Sequence, residues 1–122
     1  MELLNKIYTT EGRLNRLRYF KYQIIWMLIS AVVGAILGFI GGFLSNDVQS
    51  LLVIVPTGIF SFAAGIGSIM LGIRRLHDLN KSGWFMLLLL VPLINLVFAL
   101  YVYLAPGQVG ENQYGADPLE EN

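Results

Sequence analysis

The sequence predicts an all-α polytopic membrane protein with three transmembrane helices and a short N-terminal interfacial helix. Three observations predict it. Hydrophobic residues make up 56% of the 122 positions while charged residues make up only 13%, about half the ~25% of an ordinary soluble domain. The apolar content is not dispersed: 25 uncharged residues run from Tyr22 to Asn46, 26 from Val48 to Ile73 and 29 from Ser82 to Gly110. Each run exceeds the roughly 20 helical residues that cross a ~30 Å hydrocarbon layer, and none alternates as a barrel strand does. A soluble fold of this size has too much surface to bury such blocks, and a chain without cysteine is no disulfide-stapled secreted domain.

The whole chain, 1–122, reads as a single membrane domain. Residues 1–21 form a basic interfacial segment, with Leu3, Leu4 and Ile7 on one face and Leu14 and Leu17 among the arginines that follow. The spans are 22–44, 51–73 and 84–104, and 105–122 is a polar tail. The first block is longer than a signal-peptide core and lacks a small-x-small cleavage site, so it is expected to remain as an anchor. The third block contains Pro92 and Asn95, and proline removes a helix hydrogen bond. We take it as a full crossing; the alternative is a re-entrant hairpin with two arms of about 15 Å, its turn shielded by protein. Pro106 ends this block, and the Gly- and Pro-rich composition beyond it reads as a flexible, mildly acidic tail.

In lipid, helices associate through close packing rather than apolar attraction. Ala31, Gly34, Gly38, Gly41 and Ser45 recur at 3/4 spacing in the first span, and Gly58, Ser61, Gly65, Ser68 and Gly72 do so in the second. Each set makes one stripe along a helix, and the short link makes the two helices antiparallel neighbours. A homodimer seam is the other use of such a stripe. The third block is bulky and is expected to pack peripherally. Tyr19, Phe20, Tyr22, Trp26 and Trp84 at one end and Tyr101 and Tyr103 in the third block read as an aromatic belt.

Direction follows from Lys and Arg. Lys6, Arg13, Arg16, Arg18 and Lys21 precede the first span and Arg74, Arg75 and Lys81 follow the second, while the other link and the tail have none. With three crossings all eight fall on one side, which the positive-inside rule makes cytoplasmic. The tail, with Glu111, Asp117, Glu120 and Glu121, is then expected outside.

The densest polar cluster is RRLHDLNKSGW, Arg74 to Trp84. Arg74 and Asp78 stand four apart and are expected to pair; Asn80 and Ser82 suit a turn and a helix cap, and Gly83 eases the bend. One histidine, His77, with no cysteine makes no convincing metal site, and His77, Asp78 and Ser82 make no credible triad. No catalytic residue, metal or cofactor is therefore expected. No Asp, Glu, Lys, Arg or His lies inside a predicted span, which argues against an ion-coupled transporter.

Four motifs in order, GRLNRLRYF, RRLHDLNKSGW, VPLINL and PGQVGENQYGADP, resemble the bacterial inner-membrane family called domain of unknown function 805. The resemblance runs from about Gly12 to Pro118. It maps its first motif onto Gly12 and Arg13, and its second onto Arg74, Arg75, Leu76, His77, Asp78, Ser82, Gly83 and Trp84. Its last maps onto Pro106, Gly107, Gly110, Asn112, Tyr114, Gly115, Asp117 and Pro118. Asn95 departs from it, standing where the pattern often has Gly. The resemblance implies a multi-pass bacterial inner-membrane protein, supplies no reaction, and marks the tail motif of Asn112, Tyr114 and Asp117 as more than filler. It also sets a tension, because a full third crossing separates that motif from RRLHD.

The function expected is that of a non-enzymatic membrane component with a cytoplasmic N-terminus, presenting Arg13, Arg16, Arg74, Arg75, His77 and Asp78 to anionic lipid headgroups or a protein partner. A homo-oligomer is allowed and a nucleic-acid partner is not expected. The rivals are an enzyme acting on a lipid or isoprenoid phosphate, and a homo-oligomeric pore, for which few polar span residues are available.

Overall fold

The computed structural model describes residues 2–47 and 49–120. Its elements are α1 (Glu2–Ile7), α2 (Arg16–Ser45), α3 (Leu51–Asp78), a 3-10 helix (Gly83–Leu90), α4 (Ile94–Leu104) and a 3-10 turn (Pro118–Glu120). The fold is all-α, with two long apolar helices as candidate spans and one shorter apolar helix. The acidic Glu121 lies outside the described residues.

Helix α2 begins before the first uncharged block because Asn15 caps it: the Asn15 side chain accepts the Arg18 N–H at 2.7 Å. Helix α3 likewise runs on through Arg74, Arg75 and His77, since charge does not end a helix. At 1.5 Å per residue the two are about 45 and 42 Å long, more than a ~30 Å hydrocarbon layer. Their outer faces carry bare aromatics, with Phe39, Phe43 and Phe62 at 73%, 76% and 74% exposure, a surface suited to lipid and not to water.

The helices pack antiparallel, as expected. Trp26 donates its ring N–H to the Ala64 carbonyl at 2.9 Å, and Ser68 donates its hydroxyl to Gln23 Oε1 at 2.8 Å. The small-residue stripes explain only part of that pairing. At Gly41 an added Cβ would overlap the Leu52 carbonyl oxygen. Pro56, four residues on, has no N–H to hold that carbonyl in the helix ladder, so it is free to lean on Gly41. Gly72 meets the Met86 side chain, whereas Gly34, Gly38, Gly58 and Gly65 have nothing within 4 Å of an added Cβ. Ser45 bonds to Gly41 O and accepts from Ser50 at the link, while Ala31 and Ser61 are exposed. The glycine that sequence spacing overlooked is Gly67, against Ile7, Tyr8 and Trp26.

The third block departs from the expected single helix over 84–104. The chain reverses at Pro92 and Leu93, where Leu93 takes φ 68°, and the block becomes a hairpin of the 3-10 helix and α4. Eight residues at ~2.0 Å and eleven at ~1.5 Å give arms of about 16 Å each. Equal arms return the chain to the level from which it left. Gly83, at the start, lies against Ile73; Gly107, past the end, lies against Asp78. The reversal keeps its backbone groups paired: Val91 N–H donates to Leu88 O, Ile94 to Pro92 O and Asn95 to Val91 O. Phe98 and Val102 of α4 are buried, so the arm is not merely peripheral.

Helix α1, the start of α2, the end of α3 and the tail thus gather at one end. Ile7 is fully buried and Leu3 and Leu4 pack on the core, as their shared face predicts. All eight Lys and Arg lie at this end, but so do Glu2, Glu11, Asp78, Glu111 and Asp117. The expectation that tail acids sit opposite the basic residues is overturned by the hairpin.

Candidate functional site

The polar motifs form one buried knot around Asp78, which is 2% exposed. Its Oδ1 accepts from Arg13 Nε at 3.1 Å and pairs with Arg13 Nη2 at 3.0 Å. Its Oδ2 accepts from Arg75 Nη1 at 2.8 Å. Two guanidinium groups around one carboxylate leave an excess positive charge that burial penalises unless oxygens surround it. Six carbonyls do so. Arg13 donates to Gln108 O, Gly110 O and Gly115 O of the tail. Arg75 donates to Leu14 O, Val102 O at 2.7 Å and Ala105 O. Arginine suits this arrangement because its planar fork spreads several donors over fixed directions.

The tail is therefore folded, contrary to its composition. Glycine is required where it approaches Asp78: a Cβ on Gly107 would overlap the carboxylate. Gln108 N–H then donates to the Asp78 main-chain oxygen at 2.7 Å. Gly110 and Gly115, at φ 80° and 135°, turn their carbonyls toward Arg13 in a region that L side chains rarely adopt. Asp117 Oδ2 accepts from Gly110 N–H and Oδ1 from Leu119 N–H, which hold its carboxyl below the usual carboxylate range. Asn112 bridges to Gly115 and donates its amide to His77 O at 3.0 Å. Tyr114 stacks on the His77 ring with centroids 3.9 Å apart and planes 2° apart. The other edge of that ring, Nδ1, is 3.1 Å from Gly12 O.

The expected pairing of Arg74 with Asp78 gives way to Arg75 with Asp78, three residues apart. Arg74 instead reaches the Lys6 carbonyl of α1. Arg13 and Arg75 are not presented to the surface: both side chains are 0% exposed. Arg16 is exposed and donates to Leu104 O at 2.9 Å. Ser82 caps the 3-10 helix through Trp84 N–H, and Asn80 takes the left-handed turn position at φ 58°. Sequence reasoning passed over Asn15 and Gln23, though an Asn before a helix start and a lone Gln in an apolar run were signals in view.

Two long apolar helices fit to span a membrane, a broken hairpin and a knot tying both to the tail define a small all-helical protein of membrane type. The pattern described as "Protein of unknown function (DUF805)" matches residues 7–116, and the chain belongs to that family. It is 32% identical over 107 residues to "Inner membrane protein YhaI" of Escherichia coli K12, covering 88% of this chain and 83% of that one. It is 26% identical over 127 residues to "Inner membrane protein YhaH" of the same strain, covering 99% and 96%. No solved structure shows a significant match.

Proposed function

We propose that this chain is a non-enzymatic inner-membrane component whose shared polar motifs form a structural clasp. Its remaining exposed cations, Lys6, Arg16, Lys21 and Lys81, meet anionic headgroups at the cytoplasmic surface. One observation carries the reading: both oxygens of Asp78 and the donors of Arg13 and Arg75 are spent on partners within the chain. A lipid-phosphate enzyme needs those arginines open to substrate. A shallow cavity of about 310 Å3 does reach His77, beside Thr10, Ser82 and Trp84, but Arg13, Arg75 and Asp78 do not line it.

In this reading α2 and α3 cross the bilayer and the third block is re-entrant, so the N-terminus and tail share the cytoplasmic side. A cysteine at Gln113, in a chain with none of its own, tests it. Labelling only by a membrane-permeant maleimide is expected; labelling by an impermeant reagent from outside overturns the topology. For the headgroup reading, vesicles of phosphatidylglycerol are expected to bind the protein's soluble-face cations in a salt-dependent way that the Lys6→Gln/Lys21→Gln/Lys81→Gln triple variant loses. Unchanged retention of phosphatidylglycerol headgroups by that variant, read by spin-labelled lipid in reconstituted vesicles, overturns it.

A further inference from the structure

A second feature lies away from the knot, between all four apolar elements. A cavity of about 400 Å3 is walled by Tyr19 and Gln23 of α2, Gly65 and Ser68 of α3, Leu89 of the 3-10 helix and Ala99 of α4. That volume falls within the ~300–1,000 Å3 of small-ligand sites. Its walls are mainly apolar, and the Gly65 face opens freely, with nothing within 4 Å of an added Cβ. Its few polar groups stand at one level: Gln23 Nε2 donates to the Tyr19 hydroxyl at 3.2 Å and to Ser68 O at 3.1 Å, and Ser68 donates back to Gln23.

The polarity along α2 is ordered. Arg16, Tyr19 and Gln23 are spaced 3 and 4 and so lie on one face. Arg16 is tied to Leu104 of α4, next to Tyr103, which lines the cavity and packs on Tyr19 with centroids 4.9 Å apart. Arg16 itself lies outside the lining, one turn of α2 before Tyr19 and bonded beside Tyr103; from there an aromatic pair, a hydrogen-bonding level and apolar walls follow in order. Seven residues of helix place the Gln23 level about 10 Å deeper than Arg16.

We infer that this cavity holds one acyl chain of an anionic phospholipid, with the headgroup phosphate at Arg16 and the ester region at Tyr19, Gln23 and Ser68. The charge of Arg16, one helical turn from the cavity, selects the anionic lipid, and the cavity between the broken hairpin and the long helices takes its chain. The choice of an anionic headgroup rests on the function proposed above; the chain site does not.

The test uses the full-length protein reconstituted in bilayers of phosphatidylglycerol and phosphatidylcholine in equal parts, then extracted in mild detergent for native mass spectrometry. Wild type is expected to keep one phosphatidylglycerol. Gly65→Leu and Ala99→Phe fill the cavity from opposite walls, and each is expected to lower retention about tenfold or more. Gly38→Leu, a control on an open face, is expected to retain lipid as wild type does. Arg16→Gln is expected to keep a lipid while losing the preference for phosphatidylglycerol. The labelling pattern of Gln113→Cys, read on each variant, separates a filled cavity from a collapsed fold. Retention unchanged in both cavity-filling variants, or no lipid on wild type, overturns the inference. Loss in the triple lysine variant with retention intact in Gly65→Leu and Ala99→Phe leaves the headgroup reading standing and removes the cavity. Equal retention of both lipids by wild type removes the anionic choice.

Discussion

Replacing Asp78 by Asn changes one atom and removes the only negative charge between two buried guanidinium groups. The variant keeps one acceptor oxygen but points an N–H₂ at an arginine, so two ion pairs of 2.8 and 3.0 Å are lost. Breaking a buried pair by removing one partner costs about 3–5 kcal/mol. Six carbonyl acceptors still surround the two arginines, which argues for the lower limit, about 3 kcal/mol. That cost falls on the weakest attachment. Helices α2 and α3 keep their own ladders, while the tail is held chiefly through the knot. A penalty of that size corresponds to about a hundredfold more tail opening. Hydrogen exchange with mass spectrometry reads it directly, because Gln108 N–H is bonded to Asp78 O and Gly110 N–H to Asp117. Peptides across 105–117 should exchange about a hundredfold faster in Asp78→Asn, with the middle of α2 unchanged. Exchange in that segment within about twofold of wild type would refute the clasp.

Gly107→Ala should loosen the same segment by about 1–3 kcal/mol, since its Cβ would overlap the Asp78 carboxylate; a Gly107→Ala protein with wild-type exchange would show that the tail docks elsewhere. Gly41→Val should lower the thermal midpoint in detergent by driving α2 from the Leu52 carbonyl, while Gly34→Ala and Gly38→Ala should hold or raise it, alanine being about 1 kcal/mol the better helix former. Asp117 has its pKa depressed by the Gly110 and Leu119 N–H groups. Its contribution is full above the unfolded value of about 3.9 and is lost as pH falls through the folded one, whereas burial lowers the pKa of His77, under Tyr114, so that ring weakens the tail as pH falls below its unfolded value of about 6.5. Tail exchange corrected for intrinsic rate should therefore rise first below about pH 6.5 and again below about pH 4; a profile flat from about pH 7 to about pH 3 would place the weak point elsewhere.

The two long apolar helices were legible because hydrophobic length is a property of composition, and their antiparallel pairing because the link is short. Uncharged length does not mark helix ends: the helices extend beyond the apolar blocks, to Arg16 and to Asp78. A backbone ladder continues through charge once Asn15 caps it. The third block was ambiguous in principle. Pro92 and Asn95 marked the place of the break, yet only the equal rise of a 3-10 and an α arm decides that the chain comes back level. Arg13, Arg75 and Asp78 were visible as charged residues in shared motifs, but their burial was not. It depends on carbonyls from Gln108, Gly110 and Gly115, and main-chain acceptors leave no mark in side-chain chemistry. The small-residue stripes misled most, since four of their glycines face open space and only Gly41 meets a backbone.

The carbonyl acceptors of Arg13 stand 95 to 102 residues further along the chain. During synthesis this early arginine meets Asp78, 65 residues on, before any of those carbonyls exists, and a chain stopped short of Gln108 leaves the pair without them. The knot therefore closes only after the segment from Gln108 to Gly115 is in place, which couples the approach to α2 to residues made much later.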